Sequence, residues 1–196
     1  MPPIYYKLAK FYDRAFAPFE KRFLSQWRQE TLALLPENST ILELGAGTGA
    51  NFQFYPKCKS AVASDISIKM LEFAKTRPAV GHLIQADGQG LSFAENTFDA
   101  AFATLVFCSI PKPEMAFEEL KRVVKPGGKI VLLEHVRPDG PLGVVFDLIN
   151  FVTVALLDDH FNRRTASIAV NCGLNIIECR KKAVGAVKLI VCEVVK

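Results

Sequence analysis

Residues 40–49 of the chain read TILELGAGTG, an apolar run that ends in glycines at alternate positions. The apolar part is typical of a strand that is buried in a sheet. Gly45, Gly47 and Gly49 let the backbone turn tightly and approach a ligand closely. Because Glu43 precedes this turn, a carboxylate lies beside it. Such a site suits a cationic amino-acid group and repels a diphosphate. The stretch therefore predicts a strand, a ligand-binding loop and a helix.

Short apolar runs alternate with helical patterns along the rest of the chain, as in βαβ units with a mainly parallel sheet. The predicted strands cover residues 40–44, 60–64, 82–86, 98–107 and 129–136, followed by a hairpin of 175–181 and 187–194. The predicted helices cover 67–77, 114–124 and 163–171, and the apolar segment 141–157 is also expected to be helical. Within 114–124 we expect Met115, Leu120 and Val123 to be buried.

Two further acidic residues follow predicted strands. Asp65 ends the second strand, where a carboxylate can accept hydrogen bonds from both ribose hydroxyls. Asp87 and Gly88 follow the third strand, where a carboxylate can accept from an adenine amino group. Each acid also has a structural interpretation, since Asp65 could cap a helix and Asp87-Gly88 could form an ordinary turn. Because the carboxyl ends of parallel strands share one crevice, the set together indicates a nucleoside site with Glu43.

These residues resemble the class I S-adenosylmethionine (SAM)-dependent methyltransferases of the type 11 pattern. The matching stretches are 43–49, 65–67 with Met70 and Leu71, 86–88, 98–99 and 124–128. The resemblance implies SAM as cofactor, S-adenosylhomocysteine as product, and an α/β Rossmann-like sheet of seven strands in the order 3-2-1-4-5-7-6. It places Glu43 and the glycines at the methionine end of SAM, and Ile66 and Met70 beside adenine. Gly88 and Thr104 complete the predicted cofactor site. We expect one domain over 1–196, with a helical cap at 1–34 and the core at 35–196.

The composition excludes several other classes of protein. Apolar residues make up 50% of the chain and charged residues 22%, which is a globular composition. No apolar run reaches the roughly 18–20 residues that span a membrane, and the charged N-terminus does not resemble a signal peptide. The five cysteines form no C-x-x-C pair, which argues against a metal site or a disulfide framework. We therefore expect a cytoplasmic protein without a bound metal.

The acceptor side carries fewer signals, because a sulfonium methyl group is already activated and the protein mainly aligns the nucleophile. Residues 105–111 lack the Asn/Asp-Pro-Pro-Tyr motif of base and amide methyltransferases, so we expect no nucleic-acid partner. His135 is the candidate general base, or else a hydrogen-bonded structural histidine. His160 could close over the site or lie in solvent. Cys108, in an apolar strand end, is interpreted as structural.

The N-terminal segment combines basic and aromatic residues. Its basic residues are Lys7, Lys10, Arg14, Lys21, Arg22 and Arg28, and its aromatic stripe is Tyr12, Phe16, Phe19, Phe23 and Trp27. The segment could be a cap helix that packs on the core. Alternatively, residues 1–30 could lie on an anionic membrane surface, with 142–157 as a second hydrophobic wall.

Residues 12–14 and 134–137 resemble small bacterial phosphatidylethanolamine N-methyltransferases, ubiquinone and menaquinone C-methyltransferases, and membrane thiol methyltransferases. The first resemblance implies that Tyr12 lies between SAM and the acceptor, so we include it with His135 as a catalytic candidate. The sequence thus favours a lipophilic acceptor at the inner face of the membrane, with phospholipid ethanolamine nitrogen ahead of a quinol carbon. The alternatives are a soluble thiol, amine or phenol methyltransferase, and a SAM-binding regulatory subunit without turnover.

We expect Asp65→Ala to cripple SAM binding, because it removes the acceptor of both ribose hydroxyls. A binding titration of SAM with the purified variant measures this. An affinity within about twofold of the wild type, a difference near 0.4 kcal/mol, would contradict the placement of the ribose.

Overall fold

The computed structural model describes residues 23–78, 81–157, 160 and 162–196. The helices are α1 (Ser25–Leu32), α2 (Ile68–Ala74), α3 (Pro113–Val123), α4 (Pro141–Leu157) and α5 (Thr165–Asn171). The strands are β1 (Thr40–Leu44), β2 (Ser60–Asp65), β3 (His82–Gln85), β4 (Phe98–Thr104), β5 (Val124–His135), β6 (Leu174–Lys182) and β7 (Val187–Val194). Short 3-10 helices form at Phe52–Phe54 and Ala183–Gly185. The first 22 residues of the predicted cap lie outside the described residues. They include Tyr12, Phe16 and Phe19.

The strands form one seven-stranded sheet in the order β3-β2-β1-β4-β5-β7-β6. The first five strands in the chain run parallel to their neighbours, whereas β7 is antiparallel to both β5 and β6. The predicted fold class and strand order are therefore confirmed. The carboxyl ends of β1 to β5 and the amino end of β7 meet at one side of the sheet, which we call the carboxyl edge.

Both faces of the sheet are covered by apolar side chains. On one face, Leu42 and Ile130 belong to a cluster with Phe117 of α3, whose ring stacks on Phe107 at a centroid distance of 4.2 Å. On the other face, Ile41 packs in a cluster with residues of α1 and of β4, β5 and β7. Strands buried on both faces in this way explain the nearly continuous apolar runs of the sequence.

One residue of helix α3 is exposed where the sequence predicted that it is buried. Its buried positions include Ala116, Phe117, Leu120 and Val123, which recur at the three- and four-residue spacing of one helix face. Met115 lies beside this stripe and is 45% exposed, so the prediction that it is buried was wrong.

Strand β5 begins earlier than predicted. Val124 pairs with Phe98 of β4, and the next pair is Lys129 with Ala100. Residues 125–128, which the sequence placed before this strand, therefore form a bulge within it, where Gly127 has a φ of 74°.

Strand β4 ends at Thr104, three residues before the predicted end. Leu105 has a φ of 59°, which turns the chain out of the sheet. The N–H groups of Val106 and Phe107 then donate to Oε1 and Oε2 of Glu134, at 3.1 and 3.2 Å. The Glu134 side chain is fully buried. A carboxylate from β5 thus determines the course of the loop that follows β4.

We expect Glu134→Gln to lower the free energy of unfolding by about 1–3 kcal/mol, because an amide offers one oxygen where two N–H groups need acceptors. Urea denaturation at neutral pH measures this. Glu118→Gln, on the exposed side of α3, is the matched control and should change stability by less than about 0.5 kcal/mol. Equal effects of the two variants would contradict the role of Glu134.

Candidate functional site

The glycine loop after β1 is closely packed on one side and open on the other. Gly45, Gly47 and Gly49 have φ values of 72°, 56° and 80°. A Cβ at Gly45 would lie 2.4 Å from Cγ2 of Val106, and one at Gly49 would lie 2.6 Å from the Phe52 ring. A Cβ at Gly47 would meet nothing within 4 Å. The loop therefore needs glycine for its packing at two positions and leaves room for a ligand at the third.

Asp65 lies against this loop, as the sequence predicted. Its carboxylate accepts hydrogen bonds from the N–H groups of Gly47 and Ser67, both at 2.8 Å. Burial raises the pKa of Asp65, while these two hydrogen bonds lower it. The cap of α2 is the hydroxyl of Ser67, which accepts from the N–H of Met70 at 3.3 Å. The alternative interpretation of Asp65 as that helix cap is therefore excluded.

The predicted adenine residues lie at the same edge of the sheet. Ile66 is 41% exposed, whereas Met70 is buried. Asp87 is exposed, and its Oδ1 accepts from the backbone and side chain of Gln89 at 2.9 and 3.1 Å. Asp87 thus forms the ordinary turn that was its structural alternative, and this turn leaves its carboxylate open to solvent. Gly88 packs closely, since a Cβ there would lie 2.9 Å from a methyl group of Leu44.

A buried polar network surrounds Glu43, which has no exposed surface. Its Oε1 accepts from Nδ2 of Asn51 at 2.5 Å, and its Oε2 accepts from the Tyr55 hydroxyl. Nη1 of Arg28 donates to Oδ1 of Asn51 at 2.9 Å and to Oγ1 of Thr104 at 2.5 Å. Thr104 therefore directs its hydroxyl into this network. The network joins α1, β1, β4 and the segment that follows the glycine loop.

Burial changes the pKa of two groups in the network, Glu43 and Tyr55. It raises the pKa of Glu43, and the hydrogen bonds from Asn51 and Tyr55, together with the charge of Arg28, only partly oppose this. Burial and the adjacent Glu43 also raise the pKa of Tyr55, which stays a neutral donor. Each Glu43 oxygen keeps one further acceptor direction for a ligand.

Three members of this network were not predicted to be site residues. Asn51 and Tyr55 follow the glycine loop closely, and this proximity was the one available signal. Arg28 was counted among the basic residues of a membrane-facing segment. Arg28 is only 8% exposed and bonds to Asn51 and Thr104, so this residue fits the alternative of a cap that packs on the core.

The predicted acceptor side consists of the loop after β4 and the end of β5. Cys108 is buried, and its carbonyl accepts from the N–H of His160 at 3.0 Å, which brings the segment after α4 against this loop. His135 is half-buried and is the last residue of β5. By the alternation of a strand, it lies on the sheet face that carries Leu133, Thr104 and Glu43. Tyr12, the other catalytic candidate, lies outside the described residues.

Comparison with known proteins identifies the family to which the chain belongs. A model described as "Methyltransferase domain" matches residues 42–132, from β1 into β5. The phosphatidylethanolamine N-methyltransferase of Cereibacter sphaeroides is 30% identical over 147 residues, which cover 71% of each chain. This chain belongs to the class I SAM-dependent methyltransferases. Its cofactor is therefore SAM.

The names of other relatives of this methyltransferase specify different substrates. The thiol S-methyltransferase TMT1B of Rattus norvegicus is 35% identical over 136 residues, which cover 64% of this chain and 56% of the relative. The chain spans about half the length of this relative and of others. A SAM-dependent methyltransferase structure from Thermotoga maritima has a TM-score of 0.78 and 20% identity, covering 99% of this chain and all of that one. This similarity shows the shared fold.

The raised pKa of Glu43 predicts a pH dependence of stability. The folded protein holds the Glu43 proton more tightly than the unfolded chain, whose ordinary pKa is 4.5. Glu43 therefore stabilises the fold most below pH 4.5, and this contribution is lost as the pH rises through the folded pKa. Relative to Glu43→Gln, wild-type stability should fall by up to about 1.4 kcal/mol for each pH unit in that window.

Urea denaturation of both proteins at several values between pH 4.5 and 7.5 measures this difference. Glu118→Gln, an exposed change of the same kind, is the matched control. If the Glu43→Gln difference is constant or has the opposite slope, the raised pKa is refuted.

Proposed function

We propose that this methyltransferase transfers the SAM methyl group to a lipophilic acceptor at a membrane surface. The ethanolamine nitrogen of a phospholipid is the preferred acceptor, ahead of a quinol carbon. The observation that carries this proposal is the outward-facing apolar stripe of α4, described next.

Helix α4 exposes large apolar side chains. Val144, Leu148 and Phe151 are 57%, 70% and 79% exposed, and their spacing of four and three residues places them on one face of the helix. Leaving this much apolar surface in water is unfavourable, by roughly 25 cal/mol for each Å². An acyl chain or a membrane interface would cover it. None of the helices in the described part of the chain combines the length and apolarity needed to cross a bilayer.

Two polar side chains of α4, Asp147 and Asn150, contact other parts of the chain. Asp147 forms an ion pair with Arg137, which follows β5, with 2.8 Å between Nη2 and Oδ2. Asp147 also accepts from Nδ2 of Asn162 at 3.1 Å, and Asn150 accepts from the N–H of Asn162 at 3.4 Å. A surface helix ordinarily docks by its apolar side. Among the described side chains of α4, Asp147 and Asn150 make these polar contacts while the stripe stays exposed, which supports an apolar partner on the stripe.

We assign different residues of the chain to cofactor binding and to proton transfer. When bound, SAM supplies an activated methyl group on a sulfonium. We assign Glu43 and the glycine loop to its methionine end and Asp65 to its ribose. The adenine would lie against Ile66, Met70, Asp87 and Gly88. Thr104 would stabilise the base of the site through its hydrogen bond with Arg28. His135, on the same sheet face, would take the proton that an ethanolamine nitrogen loses.

The relative from Cereibacter sphaeroides supports the phospholipid acceptor, because its name specifies phosphatidylethanolamine and it covers 71% of this chain. The second candidate is a soluble thiol acceptor, which the rat thiol S-methyltransferase favours at 35% identity. In that case the α4 stripe would belong to a substrate pocket. A SAM-binding subunit without turnover is the remaining alternative.

The deciding experiment supplies methyl-labelled SAM with phosphatidylethanolamine vesicles, a demethylated quinol or a small thiol, followed by partition between organic solvent and water. We expect label in the organic phase with the mobility of a methylated phospholipid. Label in the thiol arm alone would refute a lipophilic acceptor. SAM binding without label in any arm would indicate the regulatory subunit.

Phe151→Glu tests the α4 stripe directly. Because it places a charge where an apolar ring is 79% exposed, the rate on vesicles should fall roughly tenfold or more, while SAM affinity is unchanged. Val170→Glu, at a 53% exposed position of α5, is the matched control and should leave the rate within about twofold. Equal effects of the two variants would contradict a membrane role for α4.

A further inference from the structure

A small cavity lies at the carboxyl edge, between the end of β5, the start of α5 and the start of β7. It encloses about 150 Å³. Its polar lining consists of Arg137, Asp139, Arg164, Thr165, Ser167 and Lys188. None of these residues has a role in the cofactor site described above.

The lining is positively charged. It carries three cationic side chains and one carboxylate, Asp139. Arg137 is paired with Asp147. Asp139 is paired with Lys181 at 2.8 Å, which holds the pKa of its carboxyl below the ordinary value. Among the described residues, neither Arg164 nor Lys188 forms an ion pair, although both charges help to lower the pKa of Asp139. Because Asp139 is already paired with Lys181, the cavity keeps an excess of positive charge for an anion.

A hydroxyl group at this cavity lacks a partner. Thr165 is 1% exposed, and its Oγ1 has no hydrogen-bond partner among the described residues. Buried polar groups in folded proteins are almost always hydrogen-bonded, and an exception calls for an explanation such as a ligand. Ser167, exposed and two residues further along α5, adds a second hydroxyl. Together with two cationic side chains, these groups suit the oxygens of a phosphate.

The position of the cavity relates it to the acceptor. Val136 and Arg137 directly follow β5, so the cavity lies on the edge that also carries the glycine loop and Asp65. Arg137 is also the residue that docks α4 through Asp147, so the exposed apolar stripe begins beside the cavity. A molecule with a phosphate and apolar chains would match both features at once.

We propose that this cavity binds the phosphate group of the acceptor. The assignment to an acceptor rests on the proposed function, because a quinol or a simple thiol carries no phosphate. In phosphatidylethanolamine two carbons separate the phosphate from the nitrogen, so a phosphate held here keeps the nitrogen at the carboxyl edge. The acyl chains then extend along Leu148 and Phe151 of α4.

The test measures binding to the full chain by calorimetry, with inorganic phosphate and with dihexanoyl phosphatidylethanolamine below its micelle concentration. The double variant Arg164→Gln, Lys188→Gln should weaken both affinities at least tenfold and leave SAM affinity unchanged. Lys129→Gln is the control, since Lys129 is a half-buried strand lysine like Lys188 but lies at the opposite edge of the sheet.

Thr165→Val separates binding from folding. Valine keeps the shape of threonine and removes the unpartnered hydroxyl, so the melting temperature should stay the same or rise. Phosphate affinity should nevertheless fall roughly fivefold, the value of one ordinary hydrogen bond.

The outcomes distinguish this inference from the proposed function. Weaker binding of both probes to the variants supports the phosphate site and its lipid source. Weaker binding of inorganic phosphate alone, without any lipid binding, supports the site with a soluble phosphate compound and refutes the phospholipid acceptor. Phosphate binding that is absent, or equally strong in the double variant, overturns the site itself.

Discussion

The burial of the Glu43 carboxylate is the constraint on which the rest of the site depends. A carboxylate without exposed surface is tolerated only when hydrogen bonds replace the water that it loses. Asn51 and Tyr55 supply these bonds, and Arg28 supplies the opposite charge through Asn51. Both donors to Glu43 follow the glycine loop, and Arg28 of α1 donates to one of them, so the network joins both elements to β1. Thr104 extends the same network to β4. The glycine loop therefore begins from a fixed strand end.

A second buried acid, Glu134, fixes the loop after β4 on the predicted acceptor side. Glu134 accepts the N–H groups of Val106 and Phe107, which would otherwise be unpaired where β4 ends. The resulting loop brings the Val106 side chain against Gly45, where even a Cβ would clash. The loop that Glu134 holds thus packs directly against the glycine loop, so the cofactor site and the predicted acceptor side are in contact. This arrangement suits a reaction that depends mainly on alignment.

The acceptor half has a different physical character. The matched family region ends at residue 132, whereas Arg137, α4 and the basic cavity all follow it. Relatives of this chain include a thiol and a phospholipid methyltransferase by name, which fits our proposal that the segment after residue 132 contacts the acceptor. Here that variable part presents an apolar stripe next to a cationic cavity. The amphipathic acceptor that we propose would account for both features.

The sequence by itself determined the order of strands and helices, the glycine loop and the position of Asp65 beside it. These features follow from hydrophobic periodicity and from backbone geometry, which are local properties of the chain. It could not determine which charged side chains are buried, because Arg28 meets Thr104 across 76 residues of sequence. The end of β4 was misplaced for the same reason, since Glu134 captures its loop from another strand. The exposure of Met115 and the cavity at Thr165 likewise depend on how elements pack. Only the tertiary structure decides these features, because the energy of a buried polar group is set by partners that are distant in the chain.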